Sequence, residues 1–471
     1  MPRLRTAQER ADLADALATT FALVEYAGTL YMPVHFMTKE PLPAAPEETV
    51  WIPLEERKIL GMANLLSGIL FASDGEVRSF RLMLGQLADQ VHSRSDGILV
   101  RIKEEKVMLL NKKGELEPVT GDFVPNYLDV PYDEDEQKLA DELFATISEW
   151  VGGDDQAHSL LYHLATILQP GWSAVRYVLL IGSGRNGKSL LLKMLHALIG
   201  EDNISGITRQ LMAASSSTMS DLNGKLANIV LDGPKEFIKD SSNEKTLIAG
   251  ERLIIERKYE NAPFKIQTNA LFIEGLQQEP KVSDKSPALQ KRLVRYRFDK
   301  VFSLDLNFEA EMMKPEKLAA MLSLLLKHWV NKGELADKLA LTAQSMDLQM
   351  ESVWAASPLL RFLEHTARRD KEFLQKIIGQ KMMIDTFMAA YRPWLDTNGY
   401  KNVEDDYLLQ MINDSFVQDR KTFRVEGKAT SRRYIKSVQP DTLNVINRLL
   451  DGDTLEGAAD DAAVLEEVEG L

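Results

Sequence analysis

Cysteine is absent from all 471 residues, which excludes disulfides and thiolate metal sites and points to a reducing compartment. Histidine is scarce, with 7 residues and no paired spacing of the zinc type. No apolar run approaches the length of a membrane span. The opening Met1-Pro2-Arg3-Leu4-Arg5 leads into a charged helical pattern instead of an apolar core. No export signal is therefore expected, no membrane partner either, and the expected location is the cytoplasm. Lysine and arginine are missing after Arg448, where Asp451, Asp453, Glu456, Asp460, Asp461, Glu466, Glu467 and Glu469 make an acidic end. The net charge of −14 argues against a chain coated in nucleic acid. It leaves room for a local basic surface, because the local field governs phosphate contact.

What is present is ordinary in bulk: 45% hydrophobic and 27% charged residues, a globular composition long enough for about two to four domains. One stretch stands out. Tyr177-Val178-Leu179-Leu180-Ile181 is an unbroken apolar run with β-branched and aromatic members, the pattern of a strand buried on both faces. It runs into Gly182-Ser183-Gly184-Arg185-Asn186-Gly187-Lys188-Ser189, which satisfies the phosphate-loop pattern at every fixed position. A helix over 189–199 follows, ended by Gly200. The glycines let the backbone approach a polyphosphate with its N–H groups turned inward. The helix N-terminus adds positive partial charge. Lys188 would neutralise β- and γ-phosphates, and the Ser189 hydroxyl would ligate Mg²⁺.

Upstream, the patterning predicts a mainly helical region over 1–96, interrupted by the proline-rich loop 41–48. From Gly97 the texture changes to short apolar runs around the turn Asn111-Lys112-Lys113-Gly114, a small β-meander. Helices over about 135–151 and 156–168 follow, separated by Gly152-Gly153-Asp154-Asp155, with Asp155 a candidate cap.

Downstream, Leu226 to Val230 and Leu231 form a second buried run that ends in Asp232, where phosphate-loop enzymes place a carboxylate for Mg²⁺. Gly233 occupies the position of a second acid. Glu236 is either a substitute or a solvated loop residue. Residues 253–266 read as strand, turn, strand, with Arg257, Lys258 and Tyr259 near the tip. The tip is either a solvated loop or a contact to a nucleic-acid backbone, for which cation plus aromatic is the suitable pairing. Arg292 ends a helix before a terminal strand. It is either a surface ion-pair partner or an arginine finger offered to a neighbouring subunit. Beyond 336 helices alternate with loops, and Phe387, Tyr391 and Trp394 at helical spacing read as core. The basic segment 420–435, with Arg424, Arg432 and Arg433 around Gly427, reads as a hairpin. Helices followed by such a hairpin suggest a winged-helix module on DNA.

Taken together, residues 97–298 resemble the superfamily 3 helicases, nearest the phage and poxvirus primase-helicase type within the AAA+ class. The resemblance rests on Asn186 before Gly187-Lys188-Ser189, on 245–251 followed by Arg257-Lys258-Tyr259, and on Pro280, Asp284, Ala288 and Arg292. It also rests on the lead-in Asn126-Tyr127-Leu128-Asp129-Val130-Pro131-Tyr132, with 357–435 similar to the winged-helix tail of phage members. It implies an α/β fold: an AAA+ parallel-sheet core over 171–335, a meander and helical collar over 97–170, and a winged-helix-like module over 336–450, with the acidic tail 451–471. The family's sensor asparagine is replaced by Gln277 and its second acid by Gly233, and no primase active site is recognisable before Gly97.

The implied activity is that of a ring-forming, hexameric DNA helicase of phage or mobile-element replication, moving 3′→5′ on single-stranded DNA and opening forked duplex. ATP and Mg²⁺ would be held by Lys188, Ser189 and Asp232 of one subunit and Arg292 of the next, with a primase or polymerase as a further partner. Two alternatives remain, an AAA+ origin-binding or loader protein with weak unwinding and a packaging or remodelling ATPase that acts on protein.

Overall fold

The computed structural model describes residues 7–26, 29–41, 48–54, 74–91, 97–103, 105–133, 137–170, 175–214, 217–236, 240–255, 264–280, 287–303, 305–329, 358–379, 382–397, 415–425 and 428–451, with isolated positions between them. The acidic tail beyond 451, the hairpin tip with Arg257, Lys258 and Tyr259, and Asp284 lie outside the described residues. The chain divides into two compact units, Met1–Ser345 and Met346–Leu471.

The first unit opens with helix α1 (Ala7–Thr20) and strands β1 (Val24–Tyr26), β2 (Thr29–His35) and β3 (Thr49–Pro53). Helix α2 (Asp74–Leu87) and strand β4 (Asp89–Val91) follow, and the four strands pair in the order β3-β2-β1-β4. The mainly helical expectation for 1–96 therefore gives way to a mixed region. In β2 residues 30–34 are all buried, so the period-two alternation that marks a half-exposed strand is missing from its sequence.

The meander consists of β5 (Ile98–Ile102), β6 (Lys106–Leu110) and β7 (Leu116–Pro118), and β8 (Tyr127–Tyr132) returns parallel to β5. Asn111 Oδ1 organises its turn by accepting from the backbone N–H groups of Lys113 at 2.8 Å and Glu115 at 3.1 Å. The lead-in is anchored by two buried amides. Asn126 Nδ2 donates to Asn203 Oδ1 at 2.7 Å, and Asn203 Nδ2 donates to the Tyr127 carbonyl at 2.9 Å.

Helices α3 (Gln137–Val151) and α4 (Asp154–Ala165) form a hairpin through Gly152 and Gly153, both at positive φ. Gly153, not Asp155, is the N-cap of α4, and Asp154 and Asp155 sit in its first turn, where carboxylates favour the helix dipole.

The elements that carry the candidate site come next in the chain. They are β9 (Tyr177–Ile181), α5 (Lys188–Ile199), β10 (Ile204–Ser205), α6 (Arg209–Ala214), β11 (Ala227–Val230), α7 (Ser242–Ile248), β12 (Leu253–Ile255), β13 (Phe264–Ile266), β14 (Leu271–Leu276), α8 (Pro287–Gln290), β15 (Leu293–Arg297), α9 (Leu306–Met312) and α10 (Pro315–Lys327). Five strands make one sheet in the order β10-β11-β14-β9-β15, every pairing parallel. Both faces are covered, as a parallel sheet requires. Val178, Leu180 and Ile273 join one core with residues of α3, α5 and α10, while Tyr177, Leu179 and Phe272 join another with Met212 and Leu247.

The second unit holds α11 (Pro358–Arg369), α12 (Lys371–Ile378), α13 (Ile384–Thr397), the antiparallel ribbon β16 (Phe416–Val425) and β17 (Lys428–Val438), and α14 (Pro440–Asp451). Phe387 and Tyr391 are buried in its core and Trp394 packs against it. Among the described residues no helix is long and apolar enough to cross a membrane.

One buried histidine ties α4 to β15. His163 is fully buried, with Nδ1 2.8 Å from the Ser159 carbonyl and 3.0 Å from Tyr296 Oη. Burial pulls its pKa down from 6.5 to about 4, the Ser159 carbonyl opposing. The folded chain thus binds this proton less tightly than the unfolded chain. The histidine's contribution is complete above about pH 6.5 and is lost as the pH falls toward 4. Denaturant titrations should show the wild type losing on the order of 2 kcal/mol relative to His163→Gln between pH 7 and pH 5; a constant difference would contradict this.

Candidate nucleotide-binding site

Residues 177–180 of β9 are completely buried, and the chain leaves the sheet at Gly182. The Gly182 N–H donates to the Leu276 carbonyl at 3.0 Å, and a Cβ there would lie 2.4 Å from the Phe298 carbonyl oxygen. Only glycine fits so close an approach. Ser183 and Gly184 carry the loop outward, Gly184 at a φ of +118°. Arg185 is exposed, and its carbonyl accepts from the Phe302 N–H at 2.8 Å. Asn186 is buried and donates from Nδ2 to the Phe298 carbonyl at 2.7 Å. That bond pins the loop to the segment after β15.

Gly187 caps α5 at a φ of +87°, and a Cβ there would sit 2.4 Å from the Trp150 ring. Lys188 opens the helix at 4% exposure. Its Nζ donates back to the Gly182 carbonyl at 3.3 Å. Burial pulls the ammonium below the ordinary lysine range, and Asp232 pulls it back up. Ser189, in the first turn, is exposed. A cavity of about 460 Å³ adjoins the loop, lined among others by Trp150, Arg185, Gly187, Ser189, Phe302 and Asp305. The glycine cradle, the buried cation and the exposed hydroxyl at a helix start fit a polyphosphate with a divalent cation.

Parallel pairing brings further residues to the same edge. Asp232 lies just beyond the carboxyl end of β11 and is exposed. Gln277 follows β14 directly and is exposed. Because β14 lies between β9 and β11, Gln277 stands between the loop strand and the acidic strand. Glu236 is exposed, and its backbone carbonyl accepts from Gln210 Nε2 at 3.0 Å.

Arg292 is at the other edge. Its carbonyl accepts from the Tyr177 N–H at 2.7 Å, at the entry to β9, whereas the loop begins at the exit. Five residues of strand separate them by about 16 Å, more than an arginine side chain spans. The structure therefore does not bring Arg292 to the loop of its own chain. Beside it Arg176 has its pKa lowered, by burial first and by Arg292 second.

The hairpin strands β12 and β13 pair in register Ile255 with Phe264, and Arg257, Lys258 and Tyr259 between them lie outside the described residues. In the second unit Arg432 and Arg433 are exposed on β17, opposite Lys421 and Arg420. Arg424 belongs to β16, with its side chain outside the described residues.

Sequence reasoning missed the cavity wall formed by Trp150, Phe302 and Asp305, which comes from segments remote in the chain. It also missed Glu274, a fully buried acid in β14. The signal was an acid inside the apolar run Leu271-Phe272-Ile273-Glu274-Gly275-Leu276.

A family model described as a family of unknown function (DUF5906) matches residues 180–286. Among solved structures, the A-form apo structure of the NrS-1 C-terminal region is similar at 14% identity, covering 91% of this chain and 98% of that one, with a TM-score of 0.49. A second apo structure of the same region covers 91% and 99% at 14% identity and a TM-score of 0.46. A JCV helicase bound to a small molecule covers 46% and 60% at 17% identity and a TM-score of 0.28.

The crowding at Gly187 generates a prediction. Gly187→Ala forces a side chain into the left-handed region, at about 1–2 kcal/mol, and against the Trp150 ring. Titration with a fluorescent ATP analogue should show at least about a tenfold loss of affinity, and undiminished binding would contradict the cradle.

Proposed function

We propose that this chain is an ATP-driven DNA helicase of the superfamily 3, AAA+ type, active as a ring of subunits. The observation that carries the reading is the division of the candidate residues between two edges of one parallel sheet. Lys188, Ser189, Asp232 and Gln277 stand at or just beyond the carboxyl edge, and Arg292 stands at the amino edge. A site that needs all five is completed only when the amino edge of one subunit meets the carboxyl edge of another.

In that assembly Lys188 would hold the β- and γ-phosphates, and the Ser189 hydroxyl and Asp232 would hold Mg²⁺. The bound cation would screen the charge of the phosphates. Gln277 offers an amide toward the attacking water, one methylene longer than an asparagine. Arg292 reaches the γ-phosphate of the adjoining subunit and stabilises the charge that develops there. The apolar and aromatic wall at Trp150 and Phe302 suits the nucleotide's base. The β12–β13 hairpin would present Arg257, Lys258 and Tyr259 to a single DNA strand in the channel, and α3 and α4 would form the collar that holds the ring.

The second unit supports a winged-helix reading, with α11, α12 and α13 among the described residues ahead of a basic ribbon. On this ribbon Arg420 pairs directly with Arg433. Like charges directly opposite each other are unfavourable in a ladder, and phosphates would neutralise them. Gly233 favours a second reading, an origin-binding or loader ATPase of slow turnover, because no acid stands at that position. Robust DNA-stimulated hydrolysis without unwinding of a forked duplex would select it.

Two measurements test the proposal. In Arg292→Ala, ATP should bind with wild-type affinity while turnover falls by about 10³-fold or more; retained turnover would remove Arg292 from the finger role. In the double variant Arg432→Ala with Arg433→Ala, DNA affinity should fall. The slope of log affinity against log salt should become shallower by about one for each phosphate that the ribbon no longer neutralises. An unchanged slope would take the ribbon out of DNA binding.

A further inference from the structure

Glu274 sits in the central strand β14 with no exposure to solvent. Burying a carboxyl group is costly unless its oxygens are matched, and this one is poorly matched. Tyr177 Oη donates to Oε2 across a long 3.4 Å. Oε1 has no hydrogen-bond partner among the described residues. The nearby Arg209 is committed to Glu244, with Nε to Oε1 at 2.7 Å and Nη2 to Oε2 at 3.4 Å. Burial pushes the Glu274 pKa up to about 7, Arg209 opposing and Glu244 and Glu279 reinforcing.

The orphan oxygen faces Gly233. The Gly233 N–H donates to the Gly275 carbonyl at 2.7 Å, which holds this backbone beside β14. A Cβ on Gly233 would lie 2.2 Å from Glu274 Oε1 and 2.6 Å from its carboxyl carbon. The carboxyl group of Glu274 thus occupies the volume in which a side chain at 233 would begin. Position 233 directly follows Asp232, where a second acid of a phosphate-loop ATPase would start.

We propose that Glu274 supplies, from the neighbouring strand, the carboxylate that orients the attacking water and takes its proton. The inference rests on the reading of the site as an ATPase. In the step, the water oxygen bonds to the γ-phosphorus as the bond from that phosphorus to the β–γ bridging oxygen breaks. The bridging oxygen leaves with its electron pair on ADP. The water proton passes to Glu274 and then to the phosphate product.

The test uses the full chain, with ATP turnover, binding of a fluorescent ATP analogue and thermal melting measured on the same samples. Glu274→Gln keeps the shape and should lower turnover by about 100-fold or more with analogue binding unchanged. Gly233→Ala leaves the acid in place but drives a methyl group into its carboxyl, and should also lower turnover while binding persists. The exchange Gly233→Glu with Glu274→Ala returns a carboxylate to the acidic strand. It should turn over at least about tenfold faster than Glu274→Ala alone, a gain that a merely structural role would not produce. Near-wild-type turnover in Glu274→Gln, or no gain in the exchange variant, overturns the proposal. Lys188→Ala separates this failure from that of the ATPase reading. If wild-type turnover is absent, or persists in Lys188→Ala, the hydrolytic site itself is misassigned.

Discussion

A single ammonium group in a nearly dry pocket is the constraint from which the rest follows. Lys188 is held at the bend between β9 and α5, with the Gly182 carbonyl as acceptor and Asp232 as the nearby charge that favours its protonated form. A buried cation with so few partners is poorly compensated on its own, and a polyphosphate would complete it. The glycines at 182 and 187 serve this arrangement. One lets the strand pass the Phe298 carbonyl, and the other lets the helix begin against Trp150. Helix α3 therefore does more than pack, because Trp150 in its last turn shapes the loop from behind.

The parallel sheet turns that local arrangement into an asymmetric subunit. Parallel strands send all their carboxyl ends to one edge, so Lys188, Asp232 and Gln277 gather there although 89 residues separate the first from the last. The same geometry exiles Arg292 to the opposite edge, where it meets the entry to β9. In the proposed reading a cation stands on one edge and an anion site on the other, an arrangement that is self-complementary only head to tail. Head-to-tail contacts close into rings when the rotation permits.

Much of this was legible in the sequence because the signals were local. The loop pattern, its strand and its helix are contiguous, and Asp232 follows an apolar run a few tens of residues later. The meander showed in its Asn-Lys-Lys-Gly turn. The strands that accompany the helices of the N-terminal region were not legible, since β2 is buried along its whole interior and offers no alternation to read. The cavity wall was invisible because Trp150, Phe302 and Asp305 meet only through tertiary packing. Glu274 was overlooked for a related reason. Its meaning depends on a cross-strand neighbour, Gly233, and on the volume a glycine leaves open.

The central claim is that one nucleotide site is assembled from two copies of the chain. The most direct measurement mixes two inactive variants, Lys188→Ala and Arg292→Ala, and follows ATP turnover in the mixture with single-stranded DNA present. Each variant alone lacks one half of every site, whereas a mixed ring places an intact loop beside an intact arginine. The account predicts that turnover, absent from each variant alone, reappears on mixing and depends on their ratio. A mixture as silent as its components, formed under conditions in which the two variants demonstrably co-assemble, would contradict it.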